Sequence, residues 1–252
     1  MREYFQQRTL VAGWPAPPNV RAVVTTRDAS PWSEASPYGF NVGMRCGEDP
    51  NVVAENRALL HAALALPSAP RWLRQVHGTH VAIEPAHDES EADAAVTRTS
   101  GVVLAIQTGD CLSVLFCADD GSEIAAAHAG WRGLSAGVLE NTLAAMQTSP
   151  ENVIAWLGPA IAASSYEVGN EVRAAFLAHD PAAASTFTAT RPGHWSCDLY
   201  ALARQRLHAA GIARIFGGGF DTFTDPRLHS YRRDGARSGR MVSLVWMLRD
   251  AI

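Results

Sequence analysis

Residues 109–133, GDCLSVLFCADDGSEIAAAHAGWRG, constrain this chain more than any other stretch. Residues 112–116 alternate as a strand does, and residues 124–127 read as a short strand of small side chains. Asp119, Asp120 and Gly121 supply a tight turn between them. The resulting hairpin fixes Cys111 and His128 near the ends of adjacent strands, and a helix is predicted from Gly133 onward. Strand ends opening into loops are where sites are commonly built. A lone Cys or His in such a place is ordinarily a packing residue, so the weight falls on what else gathers there.

The rest of the pattern interleaves strands and helices. Residues 20–26 (VRAVVTT) are rich in β-branched side chains and predict a strand closed by Arg27. A long Ser/Pro/Gly-rich loop follows up to Asp49-Pro50-Asn51, where a helix with 3.6-residue periodicity begins. Loops of that length in compact domains are often functional. Strands are predicted over 71–76, 79–83, 94–97, 102–108, 153–157, 212–216 and 241–248. The acidic stretch 84–93 is expected to be exposed. Helices are predicted over the apolar face 134–146, over 167–178, and from Asp198 as N-cap to Gly211 beyond the C-terminus. Several strands follow one another directly, so the expected class is α/β with mixed sheets, not a doubly wound parallel sheet. No ~30-residue repeat and no dividing linker is visible, which predicts one domain over residues 1–252.

Composition narrows the function. The formal charge of −4 supplies no field for nucleic acid, and no apolar run approaches the ~20 residues of a membrane helix. The first residues lack a basic segment followed by an apolar core, so a cytoplasmic protein is expected. Cys46, Cys111, Cys117 and Cys197 are widely spaced, which argues against a disulfide framework. Cys117 falls inside the apolar alternation and reads as core. His61, His179 and His208 lie in helix-like segments and carry no functional weight.

Three side chains stand out: His77 in QVHG, Cys111 in GDCLSV and His128 in AAAHAGWRG. Each ends or follows a predicted strand, and each has Gly within two residues, which lets backbone approach closely. Imidazole and thiolate are the usual donors for zinc and copper, and three protein ligands leave a fourth position open, as in catalytic metal sites. The same residues also fit a metal-free reading in which Cys111 is a nucleophile and His77 or His128 its base. Arg132, beside Gly133, and Arg27, at a strand end, are the first candidates for binding an anion such as phosphate, and Arg232 and Arg233, in a polar loop, are further ones. Gly217 to Gly219 is not a GxGxxG pattern and opens no helix, so no nucleotide cofactor is expected.

In order along the chain, QVHGTHV, DCLSVLF, HAGWRG, GPAI followed by YEVGNEV, and SYRRDGARSGRM resemble the motifs of the bacterial laccase-domain family. Its members are also called polyphenol-oxidase-like or multi-activity purine nucleoside phosphorylases. TTR near the N-terminus and GEDPNVVAENR match as well, so the resemblance spans nearly the whole chain. It implies an α/β/β/α layered sandwich with mixed sheets in a single domain. It implies one zinc ion, with copper as the alternative, held by His77, Cys111 and His128 as metal ligands and catalytic residues. The implied activities are phosphorolysis of adenosine, inosine and methylthioadenosine, with adenosine deamination. The alternatives are a copper-dependent polyphenol oxidase and a Cys-dependent amidohydrolase such as a peptidoglycan-precursor editing enzyme. The partners expected are a small nucleoside and phosphate, with no nucleic acid and no membrane, for a monomer or weak homodimer. The chain departs from the family pattern at Ser113, where Pro is usual, and at Asp221-Thr222, where Cys-Thr is common.

Overall fold

Backbone pairing sets this architecture. The computed structural model describes residues 2–30, 36–84 and 89–248. The first elements are α1 (Arg2–Gln7), β1 (Thr9–Val11), β2 (Val20–Thr25) and α2 (Pro50–Leu64). Next come β3 (Pro70–Arg71), β4 (Val81–Ile83), β5 (Ala94–Thr97), β6 (Val103–Thr108), β7 (Leu112–Ala118) and β8 (Ile124–Ala129). Then follow α3 (Trp131–Ala136), α4 (Val138–Ala145), β9 (Val153–Leu157), β10 (Glu167–Gly169) and α5 (Asn170–Leu177). The last are β11 (Phe187–Arg191), β12 (His194–Cys197), α6 (Leu199–Ala209), β13 (Arg214–Gly217), α7 (Tyr231–Asp234) and β14 (Met241–Met247).

Five strands pair in the order β1-β2-β14-β6-β3, and six in the order β13-β9-β7-β8-β5-β4. Both sheets are mixed: β3 runs parallel to β6, β13 to β9 and β4 to β5, and the other pairs are antiparallel. A small antiparallel sheet, β10-β12-β11, completes the set. The expectation of mixed sheets holds.

Alternation along the strands produces the layers. Leu104, Ile106, Met241 and Val245 of the five-stranded sheet pack on Leu115, Cys117, Ile124 and Trp156 of the six-stranded one. Their alternate neighbours Val103, Ala105, Val242 and Leu244 pack on Phe5 of α1 and Leu60 and Ala63 of α2. On the far face of the six-stranded sheet, Val114, Phe116 and Ala155 pack beneath Leu139, Phe176, Leu202 and Leu207 of α4, α5 and α6. The layer order is helix, sheet, sheet, helix, as the family resemblance implies.

Local chemistry accounts for the element ends. Asp49 caps α2 by accepting from the Asn51 N–H at 2.8 Å, and Pro50 occupies the first turn, where its missing N–H costs nothing. Asp198 caps α6 through the Ala201 N–H at 2.9 Å.

Four expectations are corrected. The helix expected over 134–146 is two helices, because Gly137 adopts φ 103 between α3 and α4, a conformation open to glycine. The segment 167–178 begins as β10 and turns helical only at Asn170. The strand expected over 71–76 stops at Arg71. Beyond it the Gln75 side chain does a strand's work: its Oε1 accepts from Gln107 N and its Nε2 donates to Gln107 O, both at 2.8 Å. That side-chain splice on β6 frees the backbone to turn at His77. The acidic stretch is not uniformly exposed, since Glu84 and Asp93 are buried; residues 85–88 of that expectation lie outside the described residues, as do 31–35 of the long loop.

Candidate metal centre

The hairpin register brings the first two side chains together. Ser113 pairs with His128 and Leu112 with Ala129, so one further step sets Cys111 beside Gly130. His128 shares its strand face with Ile124 and Ala126, which point between the two large sheets. It therefore emerges at the end of that layer, buried, while Cys111 is half-buried beside it. His77 arrives from the Gln75 splice with φ 62, a left-handed conformation uncommon for a residue with a Cβ.

Asp93, buried just before β5, holds this assembly. One carboxylate accepts from His77 N at 2.9 Å, Gly78 N at 2.7 Å, Val76 N at 3.1 Å and His128 Nδ1 at 2.8 Å. It fixes the turn that carries one imidazole and the ring orientation of the other. With Nδ1 committed to Asp93, His128 presents Nε2 to the site. The position that matters was hidden at the end of a run that reads as exposed and acidic. The one signal for it is its place directly before the small-residue strand AAVT.

Nitrogen donors of His77 and His128 and the Cys111 sulfur all lie within 4.8 Å of one another, with Cys111 Sγ 3.9 Å from His77 Nε2. Ligand bonds of zinc length at a tetrahedral angle put S and N about 3.5 Å apart, so the set fits after small adjustment. A second observation agrees. A Cβ built on Gly130 would lie 3.0 Å from Cys111 Sγ, 3.0 Å from His77 Cδ2 and 3.5 Å from His128 Nε2. The glycine keeps the space between the three donors clear. One Asp–His pair behind a ligand is also the usual support of a metal-bound imidazole.

Electrostatics prepare the donors. Burial alone would raise the Cys111 thiol, but hydrogen bonds and charge from His128 and His77 bring it down to about 6. Burial alone would lower His128, yet Asp93 and Cys111 lift it to about 9. Desolvation opposes the Asp93 carboxylate too, and its His128 and backbone partners hold it below the ordinary value. Cys117 and Cys197 are the contrast: burial in apolar surroundings pushes both up to about 12, which suits packing residues.

The three donors open on a cavity of about 550 Å³. Arg132 lines it, stacked over Trp131 at 4.4 Å, with no carboxylate partner among the described residues. Arg232 lines it too, 5.3 Å above the Tyr166 ring. Met44, Arg45 and Cys46 of the long loop form another part of the wall. Arg240 N donates to Asn41 Oδ1 and Arg57 Nε to the Val42 carbonyl, which ties that loop down. Arg27 is not on the wall. Its guanidinium donates to Asp234 at 3.0 Å and to the Pro37 carbonyl at 3.1 Å. Of the two first candidates for binding an anion, Arg27 and Arg132, the structure brings only Arg132 to the site. Arg233 is likewise absorbed by carbonyls and Asp234.

A mixed-sheet α/β/β/α protein with one His-Cys-His centre at a cavity of arginines and aromatics is a narrow class. The sequence matches the family model described as "Multi-copper polyphenol oxidoreductase laccase" over residues 21–248, and the chain belongs to that family. It is 50% identical over 262 residues to "Purine nucleoside phosphorylase" of Xylella fastidiosa, covering 96% of this chain and 98% of that one. It is 47% identical over 246 residues to "Purine nucleoside phosphorylase YfiH" of Escherichia coli, covering 96% and 99%. The crystal structure of Neisseria meningitidis protein NMB0706 superposes with a TM-score of 0.90 at 42% identity, covering 96% of this chain and 100% of that one. Among the described residues no helix is long and apolar enough to cross a membrane.

Proposed function

We propose that this chain is a cytoplasmic, zinc-dependent purine nucleoside phosphorylase acting on adenosine, inosine and methylthioadenosine, with adenosine deamination as a second activity. The observation that carries the reading is the His77, Cys111 and His128 donor set at the end of a cavity that also presents the unneutralised Arg132. Relatives at 50% and 47% identity bear the phosphorylase name.

In phosphorolysis a phosphate oxygen bonds to the anomeric carbon of the ribose, the glycosidic C–N bond breaks, and the purine leaves with its nitrogen protonated. Zinc, if held here, would supply a Lewis acid at the end of the cavity. The residues supply position and charge. His77, Cys111 and His128 would hold the ion; Asp93 fixes the His128 ring and the turn that carries His77. Arg132 binds the phosphate dianion, and Trp131 beneath it restricts the guanidinium to few orientations. Deamination ranks second because both carboxylates on the wall are engaged. Asp110 accepts from Thr222 and Arg232, and Glu89 faces Arg45 at 3.5 Å. Neither is free to be the general base of the usual zinc deaminases.

One observation favours a second reading, a Cys-dependent amidohydrolase. Cys111, His128 and Asp93 form a thiol–imidazole–carboxylate series, with the thiol pulled down to about 6. A copper-dependent polyphenol oxidase is the third; a single three-donor group is found among the described residues, whereas multicopper chemistry needs several.

The deciding experiment incubates purified protein with inosine, with and without phosphate, alongside metal analysis. The proposal expects hypoxanthine and ribose-1-phosphate only when phosphate is present, at about one zinc per chain. A metal-free preparation with full activity on an amide substrate would transfer the assignment to the Cys reading.

A further inference from the structure

Arg232 and Arg233 are neighbours with opposite fates. Arg233 donates to the carbonyls of Thr222, Asp225 and Leu228 and pairs with Asp234, so its guanidinium is consumed by the fold. Arg27 is consumed by the same Asp234. The Arg232 guanidinium makes one hydrogen bond among the described residues, to the Glu167 carbonyl at 3.2 Å, and otherwise faces the cavity over Tyr166.

What holds Arg232 there is its own backbone. Arg232 N donates to Asp110 Oδ2 at 2.6 Å, while the other oxygen, Oδ1, accepts from Thr222 Oγ1 at 2.6 Å. Asp110 adjoins Cys111 and adopts φ 92, a backbone state that costs a residue with a Cβ on the order of 1–3 kcal/mol. The two hydrogen bonds keep it in that state. The carboxylate thus joins the turn bearing the Cys111 thiol to α7 and to Thr222.

We propose that Asp110 is a positioning residue that docks α7 on the Cys111 turn and thereby makes Arg232, together with Arg132, the anion-binding pair of the cavity. Arg132 and Arg232 both line the wall and neither has a carboxylate partner among the described residues. Arg45 by contrast pairs with Glu89, and Arg240 Nη1 donates to the carbonyls of Ser238 and Gly239. Two guanidinium groups suit the charge of one inorganic phosphate, and each can bind it bidentately. The identity of that anion rests on the phosphorolysis reading; the pairing of the arginines does not.

The test measures inorganic phosphate twice, as KM for phosphate at saturating inosine and as direct binding by calorimetry. Arg232→Ala is expected to raise phosphate KM about ten-fold or more with inosine KM within about two-fold. Asp110→Gly tolerates φ 92 while deleting both hydrogen bonds, and is expected to reproduce that loss at unchanged zinc content. Asp110→Asn keeps an acceptor for Arg232 N and a donor for Thr222, and is expected to recover most of the phosphate affinity. The double variant D110G/R232A should be no worse than R232A alone, because both changes remove one interaction. Melting temperatures identify any variant that fails to fold, and R232A, a change of an exposed side chain, carries the test alone in that event. Phosphorolysis with phosphate KM untouched by R232A overturns the inference and leaves the functional reading standing. Phosphate binding that depends on Arg232 without any phosphorolysis does the reverse. A wild-type protein that neither binds nor uses phosphate removes both.

Discussion

Asp93 Oδ1 lies 2.8 Å from His128 Nδ1 and 2.9 Å from His77 N, so a single oxygen sets both imidazoles of the donor set. Asp93→Asn keeps the volume but removes the charge and one of two acceptor oxygens that serve four donors. Zinc affinity, measured by competition with a chromogenic chelator, is expected to fall about 10- to 100-fold. Asp93→Ala should also lower the melting temperature, since buried N–H groups and the buried His128 lose their partner. Unchanged affinity in both variants would mean that the site assembles without this carboxylate.

Gly130 and Gly133 share the motif HAGWRG but answer to different neighbours. At Gly130, φ −62 and ψ 156 suit any residue, and the obstacle to a Cβ is the donor set itself, 3.0 Å away. Gly130→Ala is therefore expected to fold normally and lose at least about ten-fold in zinc affinity, because ligand geometry tolerates only small displacement. At Gly133 the Cβ would meet the Gly78 carbonyl oxygen at 2.8 Å, a backbone atom that cannot swing aside. Gly133→Ala should show its main effect in thermal melting. A G130A protein that binds zinc like the wild type would count against a three-donor centre.

These contrasts bear on what was legible in the sequence. Cys111, His128 and His77 could be picked out because each interrupts an extended run beside glycine, a local pattern. The hairpin, the β-branched strand beginning at Val20, the helix start at Asp49-Pro50-Asn51 and the Asp198 cap are local as well, and they appear where expected. Asp93 could not be picked out. Its burial comes from the β5–β8 register, in which His128 N donates to the Asp93 carbonyl at 2.7 Å, and not from its acidic neighbours. Arg27 is neutralised by Asp234, 207 residues away, which no local pattern reports. The break at Gly137 was masked because the apolar period runs on through both α3 and α4. Gln75 replaces strand pairing with a side chain, so beyond Arg71 the segment expected as a strand meets β6 through a side-chain bond that no local pattern reports.

His229 links the same loop to pH. Its Nε2 donates to the Phe40 carbonyl at 3.0 Å and its Nδ1 is buried without a partner; burial pushes it down to about 3, aided by the charges of Arg27 and Arg240, against the Phe40 hydrogen bond and a weaker pull from Asp234. Above about pH 6.5 the ring is neutral in both the folded and unfolded chain and stability is unaffected. As pH falls below 6.5 the unfolded chain binds a proton that the folded chain refuses, so stability declines down to about pH 3, by at most about 1.4 kcal/mol per pH unit. His229→Gln retains a donor for Phe40 and cannot titrate. Urea unfolding between pH 7 and pH 4 should give a shallower pH slope for H229Q than for the wild type; parallel slopes would show that the histidine is protonated in the fold.

Ser113, where the family usually has Pro, reaches across the core instead. Its hydroxyl lies 2.7 Å from that of Ser243, joining β7 of the six-stranded sheet to β14 of the five-stranded one, and both residues are fully buried. Either hydroxyl alone in that apolar layer would be a buried group without a partner. Ser113→Ala and Ser243→Ala are each expected to destabilise by about 1–3 kcal/mol, because each strands the other oxygen. The double variant removes both polar groups, so its cost should fall well below the sum of the two. Additive losses in chemical unfolding would show that the two hydroxyls have other partners and that this contact does not couple the sheets.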